Sequence, residues 1–294
     1  MKKIILSAVL LAAGGTTAAG QDAKLDAARI EALTGLKGQL NEKEGVFKVS
    51  YPRDDIKATV AGVAMTPALG LTAWAAFTRM DGRAMVMGDI VLLEDQVNPV
   101  MSAALDNGLE VTALHNHFLW DSPRVMFMHV GGMGDEEKLA RGVGAVFAKL
   151  KETIGAKGPR PDARIDPARS TLDPAKIDAV LGRKGELAKG VYKVTIGFKS
   201  KMGEREIGSA MGVNTWAAFA GSDEKAVVDG DFAMSEGQLQ GVLKALRRAG
   251  ISIVAIHTHM TGESPRVMFL HYWGVGKTTE LAAGLKSALD TQME

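Results

Sequence analysis

The chain repeats itself. The stretch "HNHFLWDSPRVMFMH" at His115–His129 returns as "HTHMTGESPRVMFLH" at His257–His271, 142 residues later and identical at nine of fifteen positions. The same offset carries "WAAF" at Trp74–Phe77 to Trp216–Phe219, Gly88-Asp89 to Gly230-Asp231, Glu94 to Glu236, and Asp121 to Glu263. Upstream, "GVFKVS" from Gly45 matches "GVYKVT" from Gly190 at an offset of 145, so a few residues were gained or lost between. A tandem duplication restricts the fold to two copies of one unit, each built from about half of the chain.

The boundaries follow from composition. Lys2 and Lys3 precede an apolar run from Ile4 to Ala13 and then small residues through Gly20, the order of a secretory signal. That run is too short to span a bilayer as a helix. Residues 1–20 are therefore expected to be a cleaved signal, cut after Ala19 or Gly20, which predicts a periplasmic or extracellular protein. With no cysteine in the chain, lipid attachment through an N-terminal Cys is impossible. Residues 22–153 form the expected first repeat and 173–294 the second. The stretch between, 154–172, holds "GAKGPRPDARIDPARS" with three prolines and no apolar periodicity, and reads as a linker. Without Lys2 and Lys3, 33 basic residues face 34 acidic ones, which leaves no electrostatic footprint for nucleic acid.

Each copy predicts the same succession. A short helix (Leu25–Leu36, or Pro174–Leu181, with Asp173 as N-cap) leads into a strand at Val46–Tyr51 or Val191–Phe198. Further β-rich runs follow around Ala58–Val63, Thr72–Thr78 and Ala84–Leu93. A helix then runs from near Asp95 to Gly108, or from near Glu236 to Gly250, each glycine suited to a C-terminal cap. A strand carrying His-x-His, a tight turn, a return strand with the third histidine, and a final helix (Glu136–Lys151 or Thr278–Leu289) close the copy. Antiparallel strands interspersed with helices predict an α+β fold with a mixed or antiparallel sheet.

All six histidines of the chain lie in the two matched stretches. On a strand, His115 and His117 project to one face, and a four-residue turn at "WDSP" would bring His129 level with His115 on the neighbouring strand. Three imidazoles converging from one hairpin suit a divalent transition metal, zinc first, with a fourth position open. His115, His117 and His129, and their counterparts His257, His259 and His271, are thus the expected ligands. Glu94 and Glu236 are candidates for proton transfer, although the helix dipole alone favours a carboxylate at a helix start. Arg124 and Arg266 follow the turn proline and are candidates to clamp a small anionic substrate; the alternative is an ion pair to the turn acid. Asp121 and Glu263, in that turn, are candidate partners for an imidazole N–H. "GVGKTT" at Gly274–Thr279 lacks the leading glycine of a phosphate loop, since His271 stands there. Met85, Met87, Met126, Met128 and Met268 alternate along expected strands, which reads as core packing.

The stretch "GDIVLLEDQVNPVMSAALDNGLEVTALHNHFLWDSPRVMFMHVGG" resembles the LppY/LpqO family of exported bacterial proteins, whose domain has no assigned function. Those members carry a lipid on cysteine, which this chain lacks. The order His115, His117, Phe118, Leu119, Asp121, Arg124, His129 is also similar, more distantly, to acetolactate decarboxylase, with one extra residue before the last histidine and no glycine pair preceding it. That resemblance implies a duplicated α+β unit in which three histidines bind zinc while glutamate and arginine groups handle the substrate. The expected function is a secreted zinc enzyme, a lyase or hydrolase acting on a small carboxylate or ester. The alternative is a periplasmic metal-binding or envelope-interaction protein without turnover, which two equivalent sites suit equally well. The oligomeric state is left open.

Overall fold

A computed structural model describes residues 24–156 and 161–293, so the expected signal lies outside the described residues. The first repeat runs α1 (Ala27–Thr34), β1 (Gly38–Asn41), β2 (Val46–Pro52), β3 (Thr59–Val60), β4 (Val63–Ala64), β5 (Thr72–Met80), β6 (Arg83–Leu93), α2 (Glu94–Asp106), β7 (Glu110–Asn116), β8 (Asp121–Ser122), β9 (Val125–Gly134) and α3 (Glu136–Glu152). The second runs α4 (Pro174–Leu181), β10 (Glu186–Ala188), β11 (Val191–Gly197), β12 (Ser200–Met202), β13 (Arg205–Ile207), β14 (Asn214–Gly221), β15 (Ala226–Ser235), α5 (Leu239–Arg248), β16 (Ser252–His257), β17 (Glu263–Ser264), β18 (Val267–Gly276) and α6 (Thr278–Asp290).

The local signals explain these elements. The Asp173 side chain accepts the Ala175 N–H at 3.0 Å and Pro174 follows it, so α4 starts where its cap and fixed φ dictate. Gly108 and Gly250 sit at φ +79° and +74°, left-handed backbone that turns the chain from helix into strand. The Gly274–Thr279 stretch is the end of β18 and the start of α6.

The two repeats build one sheet rather than two. Twelve antiparallel strands run β1-β2-β5-β6-β9-β7-β16-β18-β15-β14-β11-β10, and the second half of that order mirrors the first. The junction is β7 against β16, with Leu114 paired to Ile256. All six helices among the described residues cover one face. A single apolar core draws on Ile30, Val97, Leu139, Ile177, Leu239 and Leu281 from the six helices and on Phe77, Val130, Phe219 and Tyr272 from the sheet. Against the other face lie two small sheets, β13-β12-β17 and β4-β3-β8. Ile207, Val213, Ala233, Val267 and Phe269 make a second, smaller core there. Among the described residues, no helix is long and apolar enough to cross a membrane.

Gly88 and Gly230, recurring before an aspartate, have a packing reason. An added Cβ at Gly88 would meet the Trp74 carbonyl at 2.8 Å and Val130 Cγ2 at 2.9 Å. At Gly230 it would collide with the Trp216 carbonyl and with the Tyr272 hydroxyl, which donates to that carbonyl at 2.9 Å. Both glycines point toward the helices, so the aspartate after each points to the opposite, open face.

Candidate metal centre

The open face carries every histidine. His115 is the last residue but one of β7, His257 ends β16, and His129 and His271 lie within β9 and β18. The register differs from the simple hairpin expected. The loop from His117 to Arg124 is longer than four residues, because Asp121 and Ser122 leave the hairpin to pair with β3. His115 therefore faces Phe127, and His129 faces Ala113, with a bulge between Val111 and Ala113. The second repeat agrees, with Ala255 opposite His271 and His257 opposite Phe269. The histidines are diagonal neighbours on one face, still within reach of each other.

Ring distances show the gathering. His115 lies 5.1 Å from His117 and 5.0 Å from His129, centroid to centroid. His257 lies 5.1 Å from His259 and 4.8 Å from His271. The second histidine of each pair stacks on a buried phenylalanine, His117 on Phe127 at 3.3 Å and His259 on Phe269 at 3.5 Å. The repeated "VMF" thus supplies the platform that orients a ligand just beyond the strand end.

One group at the site escaped the sequence reading. Asp89 pairs across the strands with His129 on one side and Trp74 on the other; Asp231 pairs likewise with His271 and Trp216. Asp231 Oδ2 lies 3.2 Å from His259 Nε2, which lies 3.1 Å from His257 Nε2. Donors bound tetrahedrally to one zinc at about 2.0–2.1 Å stand roughly 3.3 Å apart, close to these two separations. One donor atom each from Asp231, His257 and His259 lies within 4.8 Å of the other two, and the His271 ring stacks 4.8 Å from that of His257. The His271 Nδ1 faces the Gly230 carbonyl at 3.3 Å, a contact that leaves Nε2 for a ligand. The only signal for the aspartates in the sequence was the recurrence of Gly-Asp itself.

The electrostatics fit an ion. Asp89 Oδ1, Asp231 Oδ1 and His257 Nδ1 are buried with no hydrogen-bond partner. Burial pushes the His257 imidazole down to about 4, helped by His271 and His259, so it is neutral at pH 7, the form that ligates. His117 is also lowered, by burial first, against the pull of Asp89. Burial raises the Asp231 carboxyl, against His271 and His259. A buried carboxylate without full compensation costs several kcal/mol in general, unless a cation neutralises it.

The other candidates lie apart from this cluster. Arg124 Nε is 3.8 Å from Glu94 Oε1, an exposed pair at the strand ends. They stand five residues beyond His129 and Asp89, about 17 Å at 3.4 Å per residue. Glu94 opens α2, and Glu236 opens a short 3-10 turn ahead of α5. The Arg266 carbonyl accepts the Glu236 N–H at 3.3 Å. Arg124 thus pairs with Glu94 rather than with the turn acid. Asp121 and Glu263 hold their turns instead, accepting the N–H of Val125 at 2.7 Å and of Val267 at 3.0 Å. The expectation of buried methionines fails at Met87, which is 55% exposed on the open face, whereas Met128 and Met268 are buried.

Comparison with known proteins gives a family and little else. No curated protein matches the chain. A trimeric bacterial microcompartment shell protein, PduB, aligns over 86% of this chain and 89% of its own, at 11% identity and a TM-score of 0.20. Aspartate kinase from Synechocystis aligns over 71% of this chain and 40% of its own, at 13% identity and a TM-score of 0.17. One family profile matches twice, over residues 28–149 and 175–291, in step with the duplication. The chain belongs to that family, the Domain of Unknown Function (DUF1259).

Proposed function

We propose that the protein is an exported metalloprotein whose repeats each hold one divalent transition metal ion, zinc first, and that it acts on a small carboxylate or ester. The ligands are His115, His117, His129 and Asp89 in the first repeat, and His257, His259, His271 and Asp231 in the second. The observation that carries this reading is the Asp231–His259–His257 trio, with donor separations of 3.2 and 3.1 Å beside an unpartnered buried carboxylate oxygen. The sequence resemblance to acetolactate decarboxylase supports zinc over other metals, and the resemblance to the LppY/LpqO proteins supports export.

A bound zinc supplies Lewis acidity or a hydroxide near neutral pH. The chain's own residues do the rest. Neutral imidazoles present lone pairs while Phe127 and Phe269 fix the ring planes of His117 and His259. The aspartates lower the net charge of each site, which moderates its pull on anions relative to a site of histidines alone. Arg124 and Glu94 pair with each other away from His129 and Asp89, so this reading gives them, and their counterparts Arg266 and Glu236, no contact with a small substrate at the ion. The second reading, metal binding without turnover, is favoured by one observation: an aspartate beside three histidines can complete four protein ligands, as in a closed site. Elemental analysis after zinc addition and dialysis tests the shared premise. Two ions per chain, and fewer than half an ion once all six histidines are Ala, is the expected result. Equal content in both proteins would sink it.

A further inference from the structure

The two repeats differ beside their histidines. Next to His129, the open face forms a cleft of about 470 Å3 whose lining includes Trp74, Met85, Met87, Gly131 and Met133, together with Glu110 and Thr112. Met87 is 55% and Met133 42% exposed, so this apolar surface faces water. The offset of 142 maps Gly131 onto Trp273 and Met87 onto Asp229, and the register agrees: Met87 pairs with Gly131, and Asp229 with Trp273. Where the first repeat has a glycine and a thioether, the second has an indole and a carboxylate. Gly131 is not held there by backbone strain or crowding, since an added Cβ would meet only the Val86 carbonyl, at an ordinary 3.6 Å.

We infer that the first repeat alone binds a ligand with an apolar tail. The ligand's polar head reaches the metal beside His129, and its tail, an alkyl chain or a phenyl ring, lies along Trp74, Met87 and Met133. Ligand sites are of this kind, mostly apolar with a few convergent polar groups, and the volume suits a small molecule. Methionines line it with soft, adaptable surface. Glu110, in the same lining and paired across the strands with Gly131, disfavours a second anionic group on the tail. The second repeat, with Trp273 and Asp229 in the cleft's place, keeps its metal and takes no tail. This inference rests on the metal reading.

The test uses zinc-loaded, full-length protein, with acetohydroxamate and octanohydroxamate as zinc-binding probes followed by calorimetry. Burying a methylene is worth about fourfold in affinity, so burial of half the added chain makes the longer probe tens-fold tighter, at one site per chain. Gly131→Trp, which copies the second repeat, should abolish that preference with two ions still bound. Met87→Asp, at an exposed position, should reduce it about tenfold or more, and serves if the tryptophan variant fails to fold. Equal affinity for the two probes, or an undiminished preference in the folded variants, overturns the inference while leaving the metal reading intact. Fewer than half an ion per chain before any probe is added overturns both.

Discussion

Replacing Asp231 by Asn separates a metal ligand from a merely structural aspartate by the sign of its effects. Asp231 is 4% exposed, one oxygen lies 3.2 Å from His259 Nε2, and the other has no partner. In metal-free protein the substitution removes a charge that burial disfavours and keeps the side chain's shape, so the melting temperature should hold or rise. In zinc-loaded protein it removes an anionic donor. Loss of a second-sphere partner alone costs 10–100-fold in metal affinity, so loss of a direct ligand should cost about 100-fold or more. At fixed excess metal, a 100-fold weaker affinity forfeits about 2.7 kcal/mol of metal-linked stabilisation. At roughly 2–4 °C per kcal/mol for a chain of this size, the zinc-induced rise in Tm should shrink by about 5–11 °C. Calorimetric melts with and without zinc, for wild type and Asp231→Asn, read both numbers. A variant that loses the same amount in both states, with its zinc-induced rise intact, would refute the assignment of Asp231 as a ligand. Asp89→Asn should behave alike in the first repeat.

Further outcomes follow from the same structure. Gly230→Ala forces the Tyr272 hydroxyl off the Trp216 carbonyl and crowds the core; overpacking and a lost buried bond together should cost about 3 kcal/mol, read from urea unfolding. Removing Arg53, fully buried and paired with Asp55 at 2.8 Å, strands its partners, so Arg53→Ala should cost about 3–5 kcal/mol in the same assay. Arg124→Ala breaks an exposed pair worth about 0–1 kcal/mol; metal content and turnover of a small anionic substrate should both stay intact. A marked fall in turnover would overturn the placement of Arg124 outside the site. Cell fractionation with N-terminal sequencing should find the protein outside the cytoplasm, starting at Gly20 or Gln21.

Much of this site is written locally and therefore reads from sequence. The His-x-His spacing puts two side chains on one side of the chain at a strand end, and the caps at Asp173, Gly108 and Gly250 set helix ends whatever the rest of the chain does. What did not read is set by register between distant strands. Asp89 reaches His129 only because β6 pairs with β9, 40 residues on, at one register among several the pattern permits. Met87 alternates with buried residues as a core methionine would, but which face a strand buries depends on where the helices land. The loop at Trp120–Pro123 looks like a tight turn by composition, yet Asp121 and Ser122 pair outward with β3. Nor does the duplication itself say that the halves share a sheet; the Leu114–Ile256 junction is a contact between residues 142 apart.

That junction ties the site to the fold. Leu114 and Ile256 point toward the helices and join the repeats, and their next neighbours, His115 and His257, point to the open face. Structure and chemistry therefore alternate along the same two strands with the period of the pleat. Antiparallel pairing at this junction relates the repeats by an axis perpendicular to the sheet, so both histidine clusters open on the same side. The strands carrying His129 and His271 stand three apart in the order, about 14 Å at the usual spacing. Two sites so placed share one surface, and a difference such as Gly131 against Trp273 is enough to give them separate tasks. In the proposed reading, one centre would hold its metal beside an indole and a carboxylate, and the other would keep an apolar approach to the ion. Duplication first supplied a helix-covered sheet too wide for one repeat to build, and substitution on its free face then had two equivalent sites to make unequal.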